Sequence, residues 1–179
     1  MAEYYRLQQK IRTLAQKNQW EGVERSYTEL IGTGVLPEFE DYLWGAHSAR
    51  AMGDLTGTLL RLKKCNRIRE DEEVINWMAD IEDHYGHTVL RGDTGKVELT
   101  IATMPFDPIQ ARAIEFAQAE IVRTGTYDGY LPAGEYHFGP FDVDIRPRVS
   151  GETIDVRSDD FIRALEKQKA KEARKNSKG

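Results

Sequence analysis

The sequence of 179 residues contains one cysteine, Cys65. A single cysteine closes no internal disulfide, so burial and hydrogen bonds must hold the fold, as suits a reducing compartment. No apolar run approaches the ~20 residues that a membrane-spanning helix requires, and no membrane insertion is expected. The N-terminal stretch MAEYYRLQQKIRTLAQ has neither an apolar signal core nor a small-residue cleavage pattern, so a cytoplasmic protein is expected. Zinc-type cysteine pairs, HExxH and GxSxG are all missing, which removes the commonest signatures of zinc and serine hydrolases.

Charge of one sign is missing locally. Between Glu70 and Asp83 there are seven Asp/Glu and no Lys or Arg. The last stretch inverts this: from Arg163 onward seven Lys/Arg stand against two Glu. The first 162 residues hold 18 basic and 28 acidic groups, so an acidic body carries a basic tail. An acidic body without a reading element argues against nucleic acid as a partner.

What is present in the first half is helical periodicity. Tyr4, Leu7, Ile11, Leu14 and Ala15 fall on one stripe, and Trp20, Val23, Tyr27, Leu30 and Ile31 repeat it. Asn18 between them is a candidate cap. Two such helices joined by a short link bury their stripes as an antiparallel hairpin. GTGVLP then breaks the chain. Phe39, Tyr42, Leu43, Ala46 and Ala49 form a third stripe, and Leu55, Leu59 and Leu62 a fourth, with Asp54 placed to cap it. A fifth helix is read over EDEEVINWMADIEDHYG, with Val74, Trp77, Met78, Ile81 and Tyr85 on one face. Its acidic opening suits the positive end of the helix dipole.

Trp44 and Met78 stand 34 residues apart, and Ala51-Met52-Gly53-Asp54-Leu55 forms a small-residue Gly-Asp turn. On these features residues 3–86 resemble tetratricopeptide-type helical repeats. The resemblance implies a concave face that binds protein or peptide and carries out no chemistry.

After GDTG (92–95) the period changes. KVELTIAT alternates as a half-buried strand, with Val97, Leu99 and Ile101 on one side. PFDPIQARAIEFAQAEIVRTG is a helix with Asp107 and Gln110 as a capping box, Pro108 at its first position and Gly125 at its end. Asp128-Gly129 and Pro132-Ala133-Gly134 read as turns. EYHF and FDVDI form a hairpin across Gly139-Pro140, and ETIDV (152–156) offers a further strand. The expected class is α+β: helical hairpins over 1–91, a small α+β unit over 95–157, and a basic helical or disordered tail over 158–179.

GYLPAGEYHF spaces Gly129 and Gly134 as a phosphate-binding loop does, but Glu135 and Tyr136 replace the required Lys and hydroxyl. A carboxylate there repels phosphate, so no nucleotide is expected. LPAGEY instead resembles the turn-into-strand phrase of many small bacterial β-domains.

Other residues offer chemistry against a plainer role. Asp80, His84 and His87 have metal-ligand types near a helix end, where histidine also serves the helix dipole. Cys65 follows Lys63 and Lys64, which would lower a thiol pKa if it were exposed, yet it lies beside an apolar stripe. Asp142 and Asp144 share one face of a strand. They are either paired carboxylates or the wet side of a hairpin. No constellation forms a catalytic set, so no enzyme, metal or cofactor is expected.

The expected function is a non-catalytic adaptor or scaffold in a bacterial-type protein complex, engaging a protein partner or a second copy through the helical half. Tyr5, Trp20, Tyr42 and Trp44 are the candidate anchors, since interfaces favour large aromatics. Lys167, Lys169, Lys171, Arg174 and Lys175 are candidate contacts to an acidic protein. The alternative is a small ligand-binding or enzymatic α+β domain with a helical accessory region, its pocket near His137, Asp142 and Arg146.

Overall fold

The computed structural model describes residues 1–157 and, beyond them, Arg163, Glu166 and Lys167. The fold is α+β, with five helices preceding two small sheets. Two units divide the chain: Met1–His84 with Phe106–Phe116, and Tyr85–Pro105 with the residues from Ala117 onward.

The first unit is built from α1 (Ala2–Gln16), α2 (Trp20–Gly32), α3 (Phe39–Met52), α4 (Leu55–Ile68) and α5 (Glu72–His84). Each helix packs on the next one along the chain, because links this short leave consecutive helices as antiparallel neighbours. Tyr4, Leu7, Ile11 and Ala15 of α1 meet Val23, Tyr27 and Leu30 of α2 in one buried cluster. That cluster follows the sequence stripes closely. Ile31 departs from them and is exposed, because Leu30 already occupies the inward position.

The helix ends explain where each hairpin turns. Asp54 accepts from the Gly57 amide at 2.8 Å and caps α4 as expected. Asn18 does not cap α2; Gln19 holds that position, and Asn18 takes φ 53° in the preceding turn. Asparagine tolerates that left-handed geometry better than most residues. Glu38 and Asp41 close a reciprocal capping box at the start of α3.

Buried polar groups then tie the hairpins together. Tyr4 donates its hydroxyl to Asp41 at 2.5 Å, and the Gln8 amide donates to the same carboxylate at 3.1 Å. Arg61 of α4 forks onto both Glu24 oxygens at 2.6 Å and also donates to the Gly45 carbonyl at 2.6 Å.

The helical stretch ends at His84, short of the expected boundary at residue 91, because Tyr85–Arg91 forms strand β1. The second unit continues with β2 (Leu99–Ile101), the latter part of α6 (Pro108–Thr124), β3 (Thr126–Pro132), β4 (Gly134–Phe138), β5 (Phe141–Ile145) and β6 (Ser150–Asp155). One sheet has the order β3-β1-β6, with β1 antiparallel to β3 and parallel to β6. The other has the order β2-β4-β5 and is antiparallel throughout.

Asp128-Gly129, read as a turn, lies inside β3 instead. Tyr127, Gly129 and Leu131 alternate inward there, and the pairing Leu90↔Tyr127 to Tyr85↔Pro132 holds the segment extended. The β4–β5 hairpin forms where expected, with Phe138 opposite Phe141 and Gly139 at φ 59°. Tyr136, Phe138, Val143 and Ile145 are buried, which leaves His137, Asp142 and Asp144 outward. Around α6, the Asp107 carboxylate accepts from the Ile109 amide at 2.8 Å, and Gly125 closes the helix at φ 77°. Among the described residues no helix is long and apolar enough to cross a membrane.

Candidate functional site

The chain has three tryptophans, and all three converge on one histidine. His47 lies on α3, one turn after Trp44, so the two rings share a helix face and stand 5.9 Å apart. Trp20, at the first position of α2, stacks on His47 at 6.0 Å. Trp77 of α5 approaches to 4.8 Å, and the Arg50 guanidinium lies 5.2 Å from its ring centre. All five side chains are half-buried. They line a surface rather than fill a core, although Trp20 and Trp44 also pack against the α1–α2 cluster.

Burial pushes the His47 pKa down, and neighbouring Arg50 pushes it the same way, while Glu73 opposes them. His47 is therefore a neutral ring at neutral pH, suited to stacking and to one donor and one acceptor bond. Trp77 keeps its indole Nε1 buried without a hydrogen-bond partner among the described residues. An unpaired buried donor is costly and marks a place where the surroundings can improve. Acidic side chains border the cluster along α5, where Glu72, Glu73 and Asp80 are exposed.

Of the sequence-derived anchors, Trp20 and Trp44 belong to this cluster. Tyr42 is half-buried against the α1–α2 core, and Tyr5 is exposed, edge-on to Tyr4 at 5.5 Å. Neither joins the tryptophan group. Lys167 is exposed; Lys169, Lys171, Arg174 and Lys175 lie outside the described residues. His47, Arg50 and Trp77 were missed. The i, i+3 spacing of Trp44 and His47 on the face away from Ala46 and Ala49 was the available signal. The sequence places Trp77 only on the apolar face of its helix.

The remaining candidates resolve individually. The His84 ring stands 2.9 Å from the Asp80 carbonyl, which holds its pKa above the ordinary value, as helix-end chemistry predicts. His87 lies on β1 and pairs with Asp128 at 2.8 Å. No group of three or more metal-ligating side chains occurs among the described residues. Cys65 is fully buried, and that burial pushes its thiol up to about 12, so Lys63 and Lys64 do not activate it.

In the second unit His137 pairs across the hairpin with Asp142 at 2.7 Å, and Arg146 pairs with Asp144 at 2.7 Å. Asp142 and Arg146 border a concave groove of about 390 Å³, as the alternative reading expected; His137 is not among its lining residues. Compared with known proteins, the chain matches no family model, no curated protein and no solved structure.

Proposed function

We propose that the chain is a non-catalytic adaptor of the cytoplasm, whose helical unit holds a protein partner within a larger complex of bacterial type. In this reading the helical unit is a tetratricopeptide-like array. One observation carries the proposal: Trp20, Trp44 and Trp77 gather half-buried around neutral His47. Large aromatic side chains that remain partly accessible are the residues on which interfaces concentrate binding energy. Three of them on one surface offer apolar area around an uncharged ring, with the Arg50 guanidinium over Trp77 as a charge at its side.

The border of the cluster sets the partner's chemistry. The α5 segment supplies seven acidic and no basic residues between 70 and 83. A segment that presents apolar side chains to the tryptophans and Lys or Arg to α5 complements both features. An acidic segment would place like charges together.

The test uses the full chain and a Trp44→Ala/Trp77→Ala double variant. Light scattering establishes whether the chain self-associates, and affinity capture followed by crosslinking identifies the residues a partner touches. Support requires crosslinks at the tryptophan cluster and loss of the partner, or of the oligomer, in a double variant whose circular dichroism is unchanged. A monomer that captures nothing, or capture unaffected by the double variant, overturns the proposal.

A further inference from the structure

The second unit carries a binding surface independent of the tryptophan cluster, set by how its two sheets end. In the β2-β4-β5 sheet, β5 pairs only with β4 among the described residues, and in the β3-β1-β6 sheet β6 pairs only with β1. Both are edge strands, and the groove of about 390 Å³ lies between them. One wall is β5 with its following residue, Asp142 through Arg146 without a gap; the other includes His87 and Thr88 of β1 and Gly151 and Ile154 of β6. A wall made of five consecutive residues is a strand seen along its backbone edge.

The register decides what that edge presents. The hairpin closes on the two residues Gly139-Pro140 with Phe138 opposite Phe141. Antiparallel pairs alternate between hydrogen-bonded and open, and a two-residue turn closes on a bonded pair. Phe141, Val143 and Ile145 therefore spend their backbone groups on β4. Asp142 and Asp144 direct their N–H and C=O groups away from β4, towards the groove.

One glycine lets the far wall approach the near one, and a second lets β6 approach β1 within the far wall. A Cβ on Gly86 would lie 2.4 Å from the Arg146 carbonyl, and one on Gly151 would lie 2.5 Å from the His87 carbonyl. At the second glycine the β1–β6 register slips, with His87 opposite Ser150 but Val89 opposite Thr153. The Thr88 hydroxyl sits at that slip, buried and without a hydrogen-bond partner among the described residues. The outward backbone groups of Asp142 and Asp144, which spend no ladder bond on β4, are what a strand-forming guest is equipped to satisfy.

Charge selects the guest. Asp142 and Asp144 project from the same face of β5. Self-pairing of two β5 strands about a two-fold axis at Val143 sets Asp142 against Asp144 twice, whereas a two-fold at Asp144 sets that carboxylate against its own copy but pairs Asp142 with Arg146, so charge disfavours a second copy in the first register. Lys or Arg at two alternate positions of the guest faces Asp142 and Asp144, in exchange for the exposed pairs these carboxylates make with His137 and Arg146. We propose that the groove binds an extended partner segment with basic residues at every second position, added as a strand to the free edge of β5.

The probe is a capped peptide, Lys-Val-Lys-Val-Lys, titrated into the ¹⁵N-labelled full chain and followed by amide chemical shifts and calorimetry. Saturable shifts are expected at 142–146, and Glu-Val-Glu-Val-Glu should produce none. Methylating the alternate backbone nitrogens of the basic peptide should weaken it at least about tenfold, because the methyl groups remove strand hydrogen bonds and keep the charges. Asp144→Lys should weaken it about fivefold or more while leaving the cross-strand amide NOEs of the β4–β5 hairpin in place.

Equal binding of the methylated peptide overturns the proposal in favour of charge attraction alone. So does the absence of saturable shifts at 142–146. Saturation by a small polar molecule such as glucose or glycine, with the peptide silent, would assign the groove to a small ligand instead. A failed peptide titration leaves the tryptophan cluster untouched, since its test reads crosslinks on the other unit.

Discussion

His47 stands 4.8 Å from Trp77, ring centre to ring centre, on the surface where Arg50 covers the same indole. The imidazole is held neutral by burial and by the nearby guanidinium. Protonating it would put a second positive charge beside Arg50 in partly dry surroundings.

Acid should therefore loosen the helical unit through this one residue. The folded-state pKa of His47 lies below the ordinary value of 6.5. Between those two values the unfolded chain binds the proton more readily, so stability falls as pH drops through that interval and is flat above it. His84 acts in the opposite sense, since its raised pKa makes its contribution present at low pH and lost as pH rises. Comparing the chain with His47→Phe on the same background cancels the His84 effect. Urea midpoints measured from pH 5 to pH 8 should fall with acid more steeply in the parent than in the variant. Parallel curves would show that His47 is charged without cost.

A second prediction concerns the ion pair that joins three helices. Arg61 and Glu24 side chains are only 16% and 29% exposed, and Ser48 donates to the same carboxylate at 2.6 Å. The guanidinium also lies 4.3 Å from the centre of the Tyr27 ring. Gly45 makes the approach feasible, because a Cβ there would fall 2.6 Å from a Tyr27 ring carbon. Arg61→Met retains the aliphatic bulk but takes the guanidinium away from Glu24 and the Gly45 carbonyl, leaving the half-buried carboxylate with Ser48 and no counter-charge. Its cost should be about 2–4 kcal/mol by urea denaturation, and adding Glu24→Gln should recover part of that. A loss below about 1 kcal/mol would mean water replaces the guanidinium, as at an exposed pair.

The elements legible in the sequence are those whose signal is local. The α1–α2 stripes, the Asp54 cap, the Asp107 and Gly125 ends of α6 and the Gly139 turn each depend on residues within a few positions. β1 was missed because Tyr85-Gly86 follows α5 directly and reads as its fraying end. The strand exists by pairing with β3 about forty residues later and with β6 beyond that, and such pairing overrides local preference. β3 was missed because Asp128-Gly129 and Pro132 carry turn chemistry, although Tyr127, Gly129 and Leu131 alternate inward as a strand requires. The tryptophan cluster was half legible. Spacing places Trp44 and His47 on one face, but only tertiary packing brings Trp20 and Trp77 to them.

The last prediction tests whether the hairpins hold Cys65 shut. Its sulfur is fully buried, 3.5 Å from the Phe39 carbonyl, and the Arg69 guanidinium lies 3.9 Å from the centre of the Phe39 ring. Burial lifts the thiol to about 12, so at pH 8 almost none of it is the thiolate that alkylating reagents attack. Native chain should resist iodoacetamide at pH 8, and urea-unfolded chain should take up one equivalent. Slow labelling under native conditions then reports opening of the α3–α4 hairpin, since reagent and hydroxide both need access. Arg61→Met weakens the tie between α4 and its neighbours and should speed that labelling in proportion to its lost stability. His47→Phe, which touches neither Cys65 nor its cover, should leave the rate at neutral pH nearly unchanged. Rapid labelling of the native chain would place the thiol at the surface and remove the packing on which the α3–α4 hairpin rests.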